Sequence, residues 1–121
     1  MINLDSICAE YGLKISKVND SKVVKEYKNI VEKALGVLQA QGIYSLFLFL
    51  ESEGKNDIKD KLVELLSSDK LNLLSNDKDK QDIKDKISSE ILQDLDKLML
   101  AYNILERCLI YTKYNLKAKS K

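Results

Sequence analysis

At 121 residues and 13.8 kDa, with 45% apolar side chains, the chain has the length of one ordinary domain, read as a single helical unit over residues 1–121. Twenty basic against nineteen acidic side chains leave a net charge of +1, which excludes charge-driven disorder and a general polycation, so any basic surface must be local. With no histidine, the usual general base and the commonest metal ligand are missing, and Cys8 and Cys108 lie a hundred positions apart; neither a metal centre, a catalytic triad nor a cofactor is expected.

No basic leader precedes an apolar stretch, and the longest hydrophobic run, near residues 43–50, is far short of a membrane span. The expectation is a soluble, cytoplasmic protein with no membrane partner. In a reducing compartment its two thiols pack as small hydrophobes.

Zero prolines and four glycines, set among many Leu, Lys, Glu, Ala and Gln, predict an all-α chain: a compact bundle of about five helices with a long C-terminal one. Ile2, Leu4, Ile7, Cys8 and Tyr11 outline a short first helix. Asp20 or Ser21 can cap a second, in which Val23, Tyr27, Ile30, Val31, Ala34, Leu35 and Leu38 form one apolar stripe that ends near Gly42. The run IYSLFLFL at 43–50 is apolar on every side, so its period does not separate strand from helix; helix is chosen because nothing nearby offers a second strand. Gly54 stops it, and Asn56 or Asp57 starts a short helix carrying Ile58, Leu62, Leu65 and Leu66.

Residues 67–76 read as an irregular connection. Beyond them Ile83, Ile87, Ile91, Leu95, Leu98, Tyr102, Leu105, Leu109, Thr112 and Leu116 keep a helical step, as one long helix or two joined by a bend. An unbroken helix of that length reaches roughly 50 Å, so its end is expected to protrude or to pack on a partner. KNDIKDKL at 55–62 and KQDIKDKI at 80–87 echo one another, but two copies do not make a repeat protein; similar demands at two helix starts explain them. The acidic segment from Asp77 fails as a calcium loop, since Asp82 and Ser88 stand where glycine and a bidentate carboxylate are required.

Charge is uneven along the chain. Residues 51–96 hold thirteen acids and eight lysines, residues 14–33 six lysines and three acids, and no acid follows Glu106, which leaves Arg107, Lys113, Lys117, Lys119 and Lys121 as a basic tail. Basic residues also suit the negative end of any helix, and lysine-rich termini often only aid solubility. On a helical projection Asn103, Arg107, Tyr111, Tyr114 and Lys117 share one side, opposite Leu98, Leu105, Leu109 and Leu116. Exposed rings beside cations suit bases and phosphates of single-stranded RNA, and equally a protein interface. Lys22, Lys25 and Lys28 lie off the apolar stripe of the second helix, though Glu26 and Glu32 share that surface and describe a solvated face better than a phosphate track. The candidate RNA-binding set is thus Arg107, Tyr111, Lys113, Tyr114, Lys117, Lys119, Lys22, Lys25 and Lys28. A single arginine among nineteen lysines argues against base-specific readout, so binding is expected to be independent of sequence. No motif supports catalysis.

The order of these features resembles the small helical subunit of type III CRISPR RNA-guided effector complexes, the Cmr-type branch most closely. Tyr27 and Lys28 lead into LGVLQAQGIYSLFLFLESEG at 35–54, with Gln41 in place of the family's asparagine before Gly42 and Glu53 in place of its lysine before Gly54. Tyr111, Thr112 and Lys113 match the start of its terminal aromatic and basic stretch, while Tyr114 stands where the family carries arginine. The resemblance implies a noncatalytic subunit for antiviral defence, one that stacks on copies of itself, meets other CRISPR effector subunits, and supports crRNA and target RNA through basic surfaces. The alternative is a helical protein-protein interaction module with no nucleic-acid role.

Overall fold

The computed structural model describes residues 4–68, 91 and 94–119. Among them stand five helices and no strand: α1 (Leu4–Ile15), α2 (Ser21–Gln41), α3 (Ile43–Ser52), α4 (Asn56–Leu66) and α5 (Leu95–Lys119). An all-α bundle with a long last helix is therefore the fold. Helix α5 packs most extensively, along both α1 and α2, while α3 lies on α2 and α4 closes against α1 and α3.

Local chemistry sets the boundaries. Asp20 caps α2: its carboxylate accepts from the backbone N–H of Lys22 at 2.9 Å and of Val23 at 3.3 Å, satisfying donors that have no partner inside the helix. Gly42, at φ 95°, divides α2 from α3; its N–H closes α2 on the Leu38 carbonyl, and its own carbonyl accepts from Leu46 at 3.1 Å. Only glycine takes that φ without strain. At the other end of α3, Gly54 (φ 69°) donates to the Glu51 carbonyl and Lys55 to that of Leu50, the paired bonds of a Schellman cap.

The run at 43–50 is helical, with a face that its uniform hydrophobicity conceals. Ile43, Leu46, Phe47 and Leu50 are buried, whereas Tyr44 and Leu48 are 38% and 40% exposed. Burying side chains of this size contributes roughly 1.5–3 kcal/mol each, which makes α3 a principal source of core energy. In α4, Ile58, Leu62, Leu65 and Leu66 are the buried positions, as their spacing predicts.

Of the two readings of the last helix, one unbroken element or two joined by a bend, the unbroken one is excluded, and the expectation for its end changes. Asp94 is its cap, accepting from Lys97 N–H at 3.2 Å, so α5 starts at Leu95 and does not run unbroken through that point. Its end does not protrude: Leu116 is buried, and the Lys119 ammonium donates to the carbonyls of Ser16 at 2.6 Å and Val18 at 3.4 Å, just past the end of α1. The buried side is also broader than a stripe. Ala101, Ile104 and Cys108 join Leu105, Leu109, Thr112 and Leu116 because α5 is covered by two helices, with Leu95 left 68% exposed at its start. Ile2, Ile83, Ile87, the acidic segment from Asp77, the second copy of the 55–62 echo and residues 69–76 of the expected connection lie outside the described residues.

Candidate nucleic-acid interface

The terminal helix does not present its expected cationic and aromatic side as one surface. Gly12 brings α1 so close to α5 that a Cβ there would stand 2.9 Å from Tyr111 Cβ, and the same approach carries Asp5 over the edge of α5. The Tyr111 hydroxyl donates to Asp5 Oδ1 at 2.6 Å, and Arg107 Nη1 lies 3.6 Å from the same oxygen. Tyr111 is half-buried, and its bond to the Asp5 carboxylate raises the phenol above its ordinary pKa. Tyr111 therefore does not face outward as the helical projection suggests, and Arg107 has an acid beside it. The physical reason is the width of the buried arc: α1 covers the side of α5 that a seven-residue stripe leaves open. Tyr114 does point out, at 58% exposure, with the Lys113 ammonium 5.8 Å from its ring centroid. Lys117 is exposed.

Lys119 parts from the rest of the tail. Seven residues beyond Thr112, it falls on the side of α5 turned towards α1, which is how its ammonium reaches the Ser16 and Val18 carbonyls. That placement joins the two lysine groups of the sequence. Lys119 borders a groove of about 510 Å³ together with Lys22, Lys25 and Lys28 from the first two turns of α2, beside Ser21 and Asn29. Among the described residues, no carboxylate lines it. The acids that the α2 sequence sets among these lysines are engaged or displaced: Asp20 accepts from the α2 backbone, Glu26 pairs with Lys55, and Glu32 lies one turn beyond Lys28.

Four lysines bordering one concave surface, the ammonium of one of them held on the Ser16 and Val18 carbonyls, suit a multiply charged anion. Lysine acts there as a point charge, without the planar fork that reads base edges, and among the described residues no aromatic ring lines the groove for a base to stack on. Ser21 and Asn29 can add hydrogen bonds to phosphate oxygens. Sequence reasoning passed over both, as well as the convergence of Lys119 with α2; the only signal was the offset of Lys119 from the Tyr114 side on a helical projection.

The remaining chemistry-bearing groups are interior. Cys8 and Cys108 are both free and fully buried, the first donating to the Ile104 carbonyl at 3.5 Å; burial pushes their thiol pKa values up to about 11 and about 12. Thr112 is buried with its hydroxyl on the Cys108 carbonyl at 2.7 Å. Among the described residues, no three His, Cys, Asp or Glu side chains come together to hold a metal ion, and no helix is long and apolar enough to cross a membrane. A separate apolar groove of about 340 Å³ runs between Ile43 at the start of α3 and Leu98, Met99 and Tyr102 of α5. No protein-family model, no curated protein and no solved structure matches this chain.

Proposed function

We propose that this chain is a noncatalytic, cytoplasmic RNA-contacting subunit that works within a larger ribonucleoprotein, in the manner of the small helical subunit of type III CRISPR effector complexes that its sequence resembles. The observation that carries the RNA part is the groove bordered by Lys22, Lys25, Lys28 and Lys119 with no carboxylate among its described lining residues. Its ligand is the phosphate backbone of crRNA or target RNA, gripped without regard to base. The exposed Tyr114 and the half-buried Lys113 form a second, smaller contact on the far side of α5, where a neighbouring subunit or another copy of the chain stacks.

Filter binding of single-stranded RNA at two salt concentrations tests this reading. Each phosphate neutralised on a single strand adds a slope of about −0.7 in log affinity against log salt. The combined Lys22→Gln, Lys25→Gln and Lys28→Gln variant should then lose about 2 units of slope while its melting temperature stays near that of the wild type. A salt-independent response of the wild-type chain rejects the RNA reading. Should Arg107→Ala, Lys113→Ala and Lys117→Ala together cost more affinity than the groove variant, the contact belongs on the Tyr114 side.

One observation favours the alternative of a helical protein-interaction module: Leu95 and Met99 are 68% and 57% exposed at the start of α5, beside the Ile43 groove. Capture of a protein partner that Met99→Lys abolishes, from a chain that does not bind RNA, is the outcome that reading requires.

A further inference from the structure

A second groove lies against the first. It measures about 110 Å³ and is bordered by Lys14, Lys17, Lys61, Tyr27 and Asp57, between the end of α1, the α1–α2 connection and the start of α4. The two are linked by one contact. Lys119, which borders the first, donates to the carbonyl of Val18, and Val18 borders the second. The connection at 16–20 therefore stands between two grooves that both carry lysines; Lys17 upon it is exposed with no carboxylate partner among the described residues, and the one acid upon it, Asp20, accepts from the α2 backbone.

Charge in the second groove is compensated only loosely. Lys14 and Lys61 stand 3.9 and 3.8 Å from Glu64, which also accepts from the Tyr11 hydroxyl, and Lys14 is 3.9 Å from Glu10. Exposed pairs of that length contribute little and yield readily to a competing phosphate. Among the described residues Asp57 is the one acid on the groove wall, and one of its carboxylate oxygens accepts from the N–H of Ile58 in the first turn of α4. Unlike the first groove, this one has a ring on its wall, the half-buried Tyr27.

We propose that the two grooves form one continuous phosphate path, running from Lys28 along α2, over Lys17, to Lys61 on α4, so that the ligand is an RNA strand long enough to cross the α1–α2 connection and not a single nucleotide or short fragment. This rests on the reading of the first groove as an RNA-backbone site. The first groove supplies the main grip, and the second, partly neutralised by Asp57 and Glu64, extends it to neighbouring phosphates.

Binding of oligouridylates of about 4 and about 12 nucleotides to the full chain, followed by fluorescence anisotropy, tests the path, since lengths in this range distinguish one small site from a track. The longer strand should bind more tightly and with the steeper salt dependence. Combining Lys14→Gln, Lys17→Gln and Lys61→Gln should remove about 2 units of salt slope for the longer strand and leave the shorter one unchanged. Asp57→Asn should act in the opposite direction, tightening the longer strand alone, which keeps the test valid if the triple variant folds poorly. Equal affinity of the two strands, or indifference of the longer one to all four substitutions while the Lys22, Lys25 and Lys28 variant still matters, overturns the path and leaves the first groove standing. If neither strand binds the wild-type chain, the first groove itself is not an RNA site and the path falls with it.

Discussion

The Tyr111 hydroxyl and Asp5 Oδ1 meet at 2.6 Å, joining the terminal helix to the first one across 106 positions of sequence. This contact, with Arg107 on the same carboxylate, turns two residues that read as an outward-facing surface into a fastening between α1 and α5. Asp5→Ala should consequently lower the Tyr111 pKa towards that of a free phenol, because the carboxylate that disfavours tyrosinate is gone. The contact is exposed, so little stability should be lost with it. Ultraviolet titration of tyrosinate and a denaturant melt check the two parts; an unchanged titration curve would show that the bond is not populated in solution.

Gly12 and Gly36 make opposite predictions for one substitution. Alanine is favoured over glycine in a helix by roughly 0.8–1 kcal/mol, and at Gly36, where nothing lies within 4 Å of an added Cβ, Gly36→Ala should stabilise by about that amount. At Gly12 the added Cβ meets Tyr111 Cβ at 2.9 Å and Thr112 N at 3.3 Å, atoms fixed close to the backbone of α5. Overpacking there costs about 1–3 kcal/mol and outweighs the propensity gain, so Gly12→Ala should lower the denaturation midpoint.

The weight carried by α3 is open to a similar test. Phe47 and Leu46 are both fully buried in the core. Replacing either by alanine should cost about 2–5 kcal/mol, while Leu48→Ala, at a position 40% exposed one residue along the same helix, should cost far less. Equal losses at Leu46 and Leu48 would contradict the assignment of faces.

Stability should fall in alkali through the two thiols. Folding raises Cys8 and Cys108 from 9.0 to about 11 and about 12, so below about pH 9 folded and unfolded chains both hold these protons. As pH rises above 9, the unfolded chain releases them first, and stability drops with rising pH until the folded values are reached. Denaturant midpoints at a series of alkaline pH values should decline more steeply for the wild type than for the Cys8→Ala and Cys108→Ala double variant. For the same reason thiol alkylation should be slow in the folded protein and fast in denaturant.

Much of this architecture is legible in the amino-acid order because the signals involved are local. The absence of proline, the cap at Asp20, the glycines at 42 and 54, and the spacing of Ile58, Leu62, Leu65 and Leu66 act within a turn or two, so the bounds of α2 and α4 and the buried side of α4 follow from neighbouring residues, whereas the buried face of α3 and the width of that of α5 do not. The start of α5 was less legible, since a helical step continues on both sides of Asp94 and only the cap marks the break.

What tertiary structure alone decided is which charged side chains share a surface. Periodicity places Lys119 on a helix but says nothing of the helix opposite, and the basic tail reads as a unit because its members are adjacent in sequence. Packing of α5 between α1 and α2 divides them: Arg107 lies beside Asp5, Tyr114 and Lys113 point away, and Lys119 crosses to the lysines of α2. Convergence of that kind depends on how closely two helices approach, here through Gly12, and interhelical approach is set by the whole core and not by any window of neighbouring residues.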